Sequence, residues 1–337
     1  MLDPVKFIVY WATSNTEAAL RSLGSNEAAK TRVALRLAAR GANVRRSSIL
    51  YALAERALWL EQIGAERNEA VEQLVAEYRL RLEDYMRRVQ NAFNTVIFTA
   101  SMTFLTAIVV LILGVLSPAA SAMAYMLAFT GLSIAIVLEG LVPPARRWDY
   151  RVTAAAMVPA VAALFWTPAV YLTVPTAVAY GIWYFRLRRE AEEELRLAVR
   201  GKLQAASTDM AKEALDIVRA VKTSGAYYMQ TAAEFLLRMA ENFYSSIRTD
   251  GLIRGLVVLS LVFVAAAAVR QVYSPLMSMV AAAQQAGSSL PIQLHTFHVK
   301  PVMMAFGFVA SVLAGRMAES YAMSPVFTPI MLAALLV

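Results

Sequence analysis

EYRLRLEDYMRRVQNAFNTVIFTASMTFLTAIVVLILGVL, residues 77–116, decides the fold. Its first half is charged and amphipathic: Glu77, Arg81, Asp84, Arg87 and Arg88 interleave with apolar residues at helical spacing. From residue 95 onward it carries no charge, and no Gly or Pro occurs from Ala65 to Leu113. The stretch reads as one continuous helix that starts in water and ends in a bilayer. At 1.5 Å per residue, 65–113 would be roughly 70 Å long, about half of it inside the membrane.

The rest of the chain follows the same alternation. Further uncharged or nearly uncharged runs occupy 119–142, 152–185, 252–269, 299–315 and 325–337. The chain is 59% hydrophobic and 17% charged, against about 45–50% and about 25% for soluble globular proteins. The expected class is an all-α polytopic membrane protein with two cytoplasmic helical-bundle blocks and about 6–7 transmembrane helices. The run 152–185 is too long for one crossing and holds Pro159, Pro168 and Pro175, so it reads as two short helices turning at 166–168. The last run is short for a crossing.

Lys and Arg set the orientation. Residues 1–94 hold 14 of them, 143–151 hold Arg146, Arg147 and Arg151, and 186–254 hold 12. The positive-inside rule puts all three segments in the cytoplasm. The expected organisation is a cytoplasmic block 1–94, a transmembrane hairpin 95–142, a basic cytoplasmic loop 143–151, a second hairpin 152–185, a second cytoplasmic block 186–251, and C-terminal transmembrane helices 252–337 with an external loop 274–298. The expected location is the cell (cytoplasmic) membrane, multi-pass, with a cytoplasmic N-terminus. MLDPVKFIVYWATSN at 1–15 lacks the features of a signal peptide. It reads as mature chain, either lying on the membrane surface or packed on the first block.

Within that block, Ser14 and Glu17 fit a capping box. Helices are expected from about Asn26 to Arg40, stopping at Gly41, and from Ser47 or Ser48 toward Gly64, the latter carrying Leu50, Leu53, Leu58 and Ile63. The two blocks also resemble each other. LRLAARG at 35–41 recurs as LRLAVRG at 195–201, and AEYRLR at 76–81 recurs as AEFLLR at 233–238. The second elements each start 19 residues before an apolar run, at Thr95 and Leu252. Chance is the competing explanation, since Ala, Leu and Arg are abundant; the matching order and offset favour duplication.

Catalytic chemistry finds no foothold. There is no Cys, no P-loop, no H-E-x-x-H, and no G-x-S-x-G with a plausible His partner. His295 and His298 form an H-x-x-H, which is two ligands where a zinc site wants three or four. Glu139 is the one acid within an uncharged run, and it reads as a carboxylate reaching the interface beside Arg146 and Arg147. A transporter would need charged groups near midplane, and the runs offer none elsewhere. Gly307, Ser311 and Gly315 give small-xxx-small twice and point to a helix–helix contact, within or between protomers. Arg45, Arg46, Arg146, Arg147, Arg186, Arg188 and Arg189 are candidate partner contacts, with fixing of topology as the plainer role of such residues. The blocks carry nearly balanced charge, 14 basic against 11 acidic in 1–94 and 12 against 10 in 186–254. That points to a protein partner ahead of nucleic acid.

The arrangement of helical block, membrane hairpin, second block and further spans resembles the type II secretion system F family, the platform proteins of type IV pilus and related machines, and in particular the archaeal pilus and archaellum platforms. The resemblance rests on VALRLAARGANV at 33–44, EYRLRLEDYMRRVQNAF at 77–93 and FGFVASVLAGRMAES at 306–320. It is architectural and covers most of the chain. The chain departs from the family in its short second block and in a C-terminus that stops within an apolar run. The resemblance implies a non-enzymatic platform without cofactor. Its implied partners are a cytosolic hexameric secretion ATPase and pilin-like subunits, together with membrane lipid and further copies in a homo-oligomer. A membrane scaffold or sensor unrelated to pili shares the topology and stays open as the alternative, with a transporter third.

Overall fold

The computed structural model describes residues 2–42, 48–113, 118–138, 149–224, 227–285 and 299–336. The described residues form helices and connecting turns. The chain folds as two units: Met1–Arg88 with Arg188–Ser245, and Val89–Leu187 with Ser246–Val337. The divisions at 88/89, 187/188 and 245/246 fall within six residues of the boundaries expected from charge.

The first unit is built on α1 (Asp3–Thr13), whose Val5, Phe7, Ile8, Val9 and Trp11 are buried. Of the two places the sequence left open for this segment, packing on the block is the one observed. The Trp11 indole donates to Glu61 Oε1 at 2.7 Å, and the same oxygen accepts from the Thr16 amide at 2.7 Å. One carboxylate thus ties the end of α1 to the start of α2 (Thr16–Leu23) and to α4 (Ile49–Gln62). The cap of α2 is Asn15, accepting from Ala18 N, where Ser14 was expected. The Ser14 hydroxyl instead donates to Tyr10 O at 2.6 Å, and Glu17 turns to Arg21 and Arg36. α3 (Asn26–Ala39) is capped by Ser25, and α4 by Ser48. Leu50, Leu53, Ala54, Ala57 and Leu60 are buried on α4, whereas Leu58 is half-buried and Ile63 exposed.

α5 (Arg67–Leu113) contributes Ala70, Val71, Leu74, Tyr78 and Leu82 to the same core. From the other segment come the last turns of α8 (Val170–Val199), then α9 (Asp209–Ser224) and the first turns of α10 (Tyr227–Gln285). They add Ala198, Ala214, Ile217, Leu236 and Ala240 among others. The amide of Leu2 donates to Glu213 Oε2 on α9 at 3.1 Å, closing the unit across its two segments.

The recurring heptapeptides end their helices alike. Gly41 N donates to Ala38 O and Ala42 N to Leu37 O; Gly201 N donates to Ala198 O and Lys202 N to Leu197 O. Both glycines are left-handed, at φ 81° and 64°, the conformation such a cap requires. Glu77–Arg81 and Glu234–Arg238, at matching places in the second repeated element, are both ion pairs one turn apart. The buried faces there do not match: Leu74, Tyr78 and Leu82 in one copy, Ala233, Leu236, Leu237 and Ala240 in the other. Tyr78 is buried while Phe235 at its place is exposed, a rotation of about one residue around the helix.

Between α8 and α9, Glu194 accepts from Ser207 Oγ at 2.9 Å and Thr208 N at 3.1 Å, and from Ser207 N. Partial burial pushes its carboxyl up, but the hydrogen bonds from Ser207 and Thr208 together outweigh this and hold it below the ordinary value of 4.5. A folded-state value lying below the unfolded one contributes stability that is present above the unfolded pKa and lost as pH falls through the folded one. Urea midpoints measured from pH 6 downward should therefore fall more steeply in the wild type than in Glu194→Gln. Parallel acid limbs would refute the assignment.

The second unit surrounds α11 (Val299–Ala318). Among the described residues, three helices are long and apolar enough to cross a membrane: Arg67–Val110, Thr231–Met279 and Val299–Ala318. Shorter apolar helices are Ala122–Ile136, Tyr150–Phe165 and Tyr321–Leu336. The most apolar window of α11 is 83% buried, against 28% and 39% for those of α5 and α10. On α5 the exposed Phe98, Met102, Leu105 and Val109 fall on one face, and α10 exposes Ile253, Leu256, Val257, Phe263 and Val264. Such contiguous apolar surface is compatible with a helical membrane protein.

α6 (Pro118–Val137) and α7 (Tyr150–Phe165) pack on α11. Trp166 is extended, a short 3-10 turn Thr167–Ala169 follows, and α8 begins at Val170, so the chain reverses where the prolines suggested. α10 differs from expectation. It continues through Pro275 to Gln285, where the sequence suggested a loop from 274; the remainder of that loop, 286–298, lies outside the described residues. After α11 the chain folds back as a 3-10 turn Tyr321–Met323, α12 (Ser324–Phe327) and a 3-10 segment Thr328–Leu336, largely buried against α11.

Candidate functional site

The residues singled out in the sequence fall in three groups. Arg45, Arg46, Arg146 and Arg147, like Glu139, His295 and His298, lie outside the described residues. Arg186, Arg188 and Arg189 are on α8, with Arg186 and Arg189 exposed. Arg188 Nε lies 2.9 Å from Glu192 Oε1 and Arg189 Nε 3.0 Å from Glu193 Oε1. These are pairs one turn apart on the same helix, worth a few tenths of a kcal/mol each. The structure leaves them strung along one helix and does not gather them into a site.

Gly307, Ser311 and Gly315 do share a face, and it meets the folded-back C-terminal segment of the same chain. A Cβ on Gly307 would stand 3.0 Å from Met331 Cα, and one on Gly315 2.5 Å from Ser324 N. Ser311 Oγ donates to Gly307 O at 2.7 Å and lies 2.9 Å from Phe327 O. A second small pair, Gly251 and Gly255, seats α10 against α11 on another face. There a Cβ would overlap the Met317 carbonyl oxygen or stand 2.9 Å from Ala314 O. Its signature, GLIRG at 251–255, is the same small-xxx-small spacing, hidden by the Arg within it.

The C-terminal end of α11 holds the most unusual chemistry. Glu319 is fully buried, and Arg248 and Arg316 are each 5% exposed. Tyr184 of α8 donates to Glu319 Oε2 at 2.6 Å. Arg248 of α10 places Nε 3.8 Å from Glu319 Oε1. Arg316, in the last turn of α11 where the helix dipole favours a cation, reaches the Glu319 carbonyl oxygen at 3.5 Å and lies 5.2 Å over the Tyr321 ring. Around this core Tyr180 donates to Ala322 O at 2.7 Å and pairs with Thr153 at 2.9 Å, and Tyr321 donates to Ala135 O at 3.2 Å. The turn after α11 is thereby bonded to α6, α7, α8 and α10.

Sequence reading did not single out Arg248, Arg316 or Glu319 as site residues. Each sits just beyond or before an uncharged run, so windowed hydropathy assigns it to an interface. Burial here comes from folding-back of the C-terminal segment, a tertiary event. Chemically the cluster is a fixed charge clamp: an acceptor-only carboxylate held by a phenol and a guanidinium. Among the described residues no group of three His, Asp or Glu could hold a metal ion. Comparison of the chain with family models, with curated proteins and with solved structures finds no match.

Proposed function

We propose that this chain is a platform protein of a type IV pilus-like or type II secretion-like machine, seated in the cytoplasmic membrane with its N-terminus inside. It couples a cytosolic hexameric secretion ATPase to the assembly of pilin-like subunits. One observation carries the reading: α5 and α10 each run unbroken from a charged helical block into an apolar unit, and in each block the helix two before the long one, α3 or α8, ends in the same glycine cap. A part that transmits motion from a motor to membrane helices needs that continuity and no active site. In this reading the short apolar helices join the three long ones to make 6–7 spans, the outward apolar faces meet lipid or further copies of the chain, and the first unit meets the ATPase.

The test is co-purification of the detergent-solubilised chain with the secretion ATPase encoded beside it. Binding is expected, weakened by Arg188→Glu with Arg189→Glu. No co-purification would sink the platform reading and leave a scaffold unrelated to pili. A transporter gains support from one observation, the buried Arg248–Glu319 pair. It would require solute flux in reconstituted vesicles that Glu319→Gln abolishes.

A further inference from the structure

The repeated glycine caps carry unequal electrostatics. In the first block, three guanidiniums gather round one carboxylate supplied by α2: Arg36 and Arg21 lie 2.5 and 2.8 Å from Glu17 Oε1, and Arg32 lies 3.8 Å away. Arg36 and Ala39, with Glu17 and Leu20, line a small groove there. In the second block the equivalent positions, Arg196 and Val199, line a larger pocket of about 450 Å3 with Arg200, Lys202, Arg238, Glu241 and Asn242. Nothing equivalent to α2 precedes this copy in the chain, because α8 arrives directly from the second unit.

The charges of this pocket do not cancel. Arg196 is met by Glu241 at 3.2 Å and Arg238 by Glu234 at 3.7 Å. Arg200 and Lys202 have neither an ion pair nor a side-chain hydrogen bond among the described residues. The Lys222 amine adds a further cation, 3.1 Å from where a Cβ on Gly201 would stand. The end of α8 offers these cations about half a negative charge through its dipole, which leaves an excess of roughly two. Leu197 is 42% exposed beside them, as Leu37 is at 43% in the first block, so it offers apolar surface without distinguishing the two copies.

We infer that the pocket formed by Arg196, Arg200, Lys202 and Arg238 docks an acidic helical segment of a partner protein. Glu241 already does for Arg196 what Glu17 does for Arg36, and the partner's carboxylates answer Arg200 and Lys202, which no acid in the chain meets among the described residues. The backbone at a helix C-terminus presents carbonyl oxygens, so a compact phosphate meets repulsion at the floor and attraction only from the rim. A helix with carboxylates one turn apart reaches the rim cations and lays its apolar side on Leu197. That the segment belongs to the ATPase rests on the platform reading; the pocket itself rests on geometry alone.

The full chain in detergent micelles is titrated into a fluorescein-labelled peptide built of Glu and Ala in helical repeat, at physiological salt. The expected result is binding that weakens about tenfold or more in Arg200→Glu with Lys202→Glu. It weakens less, in the same direction, with Gln at both positions, and stays within about twofold of wild type when the exposed first-block pair Lys30 and Arg40 is reversed to Glu. Matching thermal melts confirm that the variants fold. Unchanged affinity in the Arg200 and Lys202 variants, or equal loss in the Lys30 and Arg40 variant, would overturn the proposal. So would displacement of the peptide by millimolar inorganic phosphate or by phosphatidylglycerol in mixed micelles. Peptide binding without ATPase co-purification keeps the pocket and removes the platform; the reverse keeps the platform and removes the pocket.

Discussion

Glu319→Leu is expected to lower the stability of the second unit by about 3–5 kcal/mol, the range for removing one partner of a buried ion pair. The loss has two sources. The Tyr184 hydroxyl forfeits a charge-assisted hydrogen bond of 2.6 Å, and Arg248, 5% exposed, loses the Glu319 carboxylate that lies 3.8 Å from its Nε. Desolvation makes the second source the larger one, since an unanswered buried charge costs several kcal/mol. The contrast with Tyr184→Phe separates them, because that change removes only the hydrogen bond and should cost about 1.5–3 kcal/mol. Unfolding in detergent, followed by near-UV dichroism and urea midpoint, reads both. If Glu319→Leu cost less than Tyr184→Phe, the carboxylate would not be the keystone of the turn after α11.

Gly251→Ala is expected to be nearly as damaging, for a steric reason. The added methyl would overlap the Met317 carbonyl oxygen and stand 2.9 Å from its carbon. Both are backbone atoms of a helix, so no side chain can swing aside, and α10 must back away from α11. Overpacking of this kind costs about 1–3 kcal/mol or more. Gly181→Ala is the control. Its new methyl would meet only Val326 Cγ2 at 4.0 Å, and helix propensity makes the change neutral or favourable by up to about 1 kcal/mol. Equal melting temperatures for the two variants would mean that the α10–α11 contact is looser than its geometry says.

Punctuation was the legible part of this chain. Gly41 and Gly64 end helices with positive φ and Ser48 begins one, while the cap expected at Ser14 falls one residue later at Asn15. Pro168 lies in the turn between α7 and α8. These effects are local, and a short window of sequence contains them. The role of α11 was hidden because hydropathy does not report what covers a helix: its best window has the lowest mean hydropathy of the three long apolar helices, 1.5 against 1.8 and 2.5, yet it is the most buried. The charge cluster was hidden because Tyr184, Arg248 and Glu319 are far apart in sequence and each looks ordinary in its own neighbourhood. The recurring sequence elements agree in their caps and differ in their long helices. AEYRLR and AEFLLR align by letter, but Tyr78 faces the core and Phe235 does not. Core packing followed the partners each helix met.

The first unit draws its core from two stretches of chain, Met1–Arg88 and Arg188–Ser245, with all of 89–187 between them. On a ribosome the early stretch is finished long before its counterpart exists. α1 and α5 must therefore wait with apolar faces uncovered while the intervening helices are made and delivered elsewhere. Closing so long a loop adds entropy only logarithmically, about 0.6 kcal/mol per doubling of its length, but high contact order slows the search itself. The bond from Leu2 to Glu213 cannot form until all of 89–187 has been made. Throughout that interval the uncovered faces stand open to proteases and chaperones.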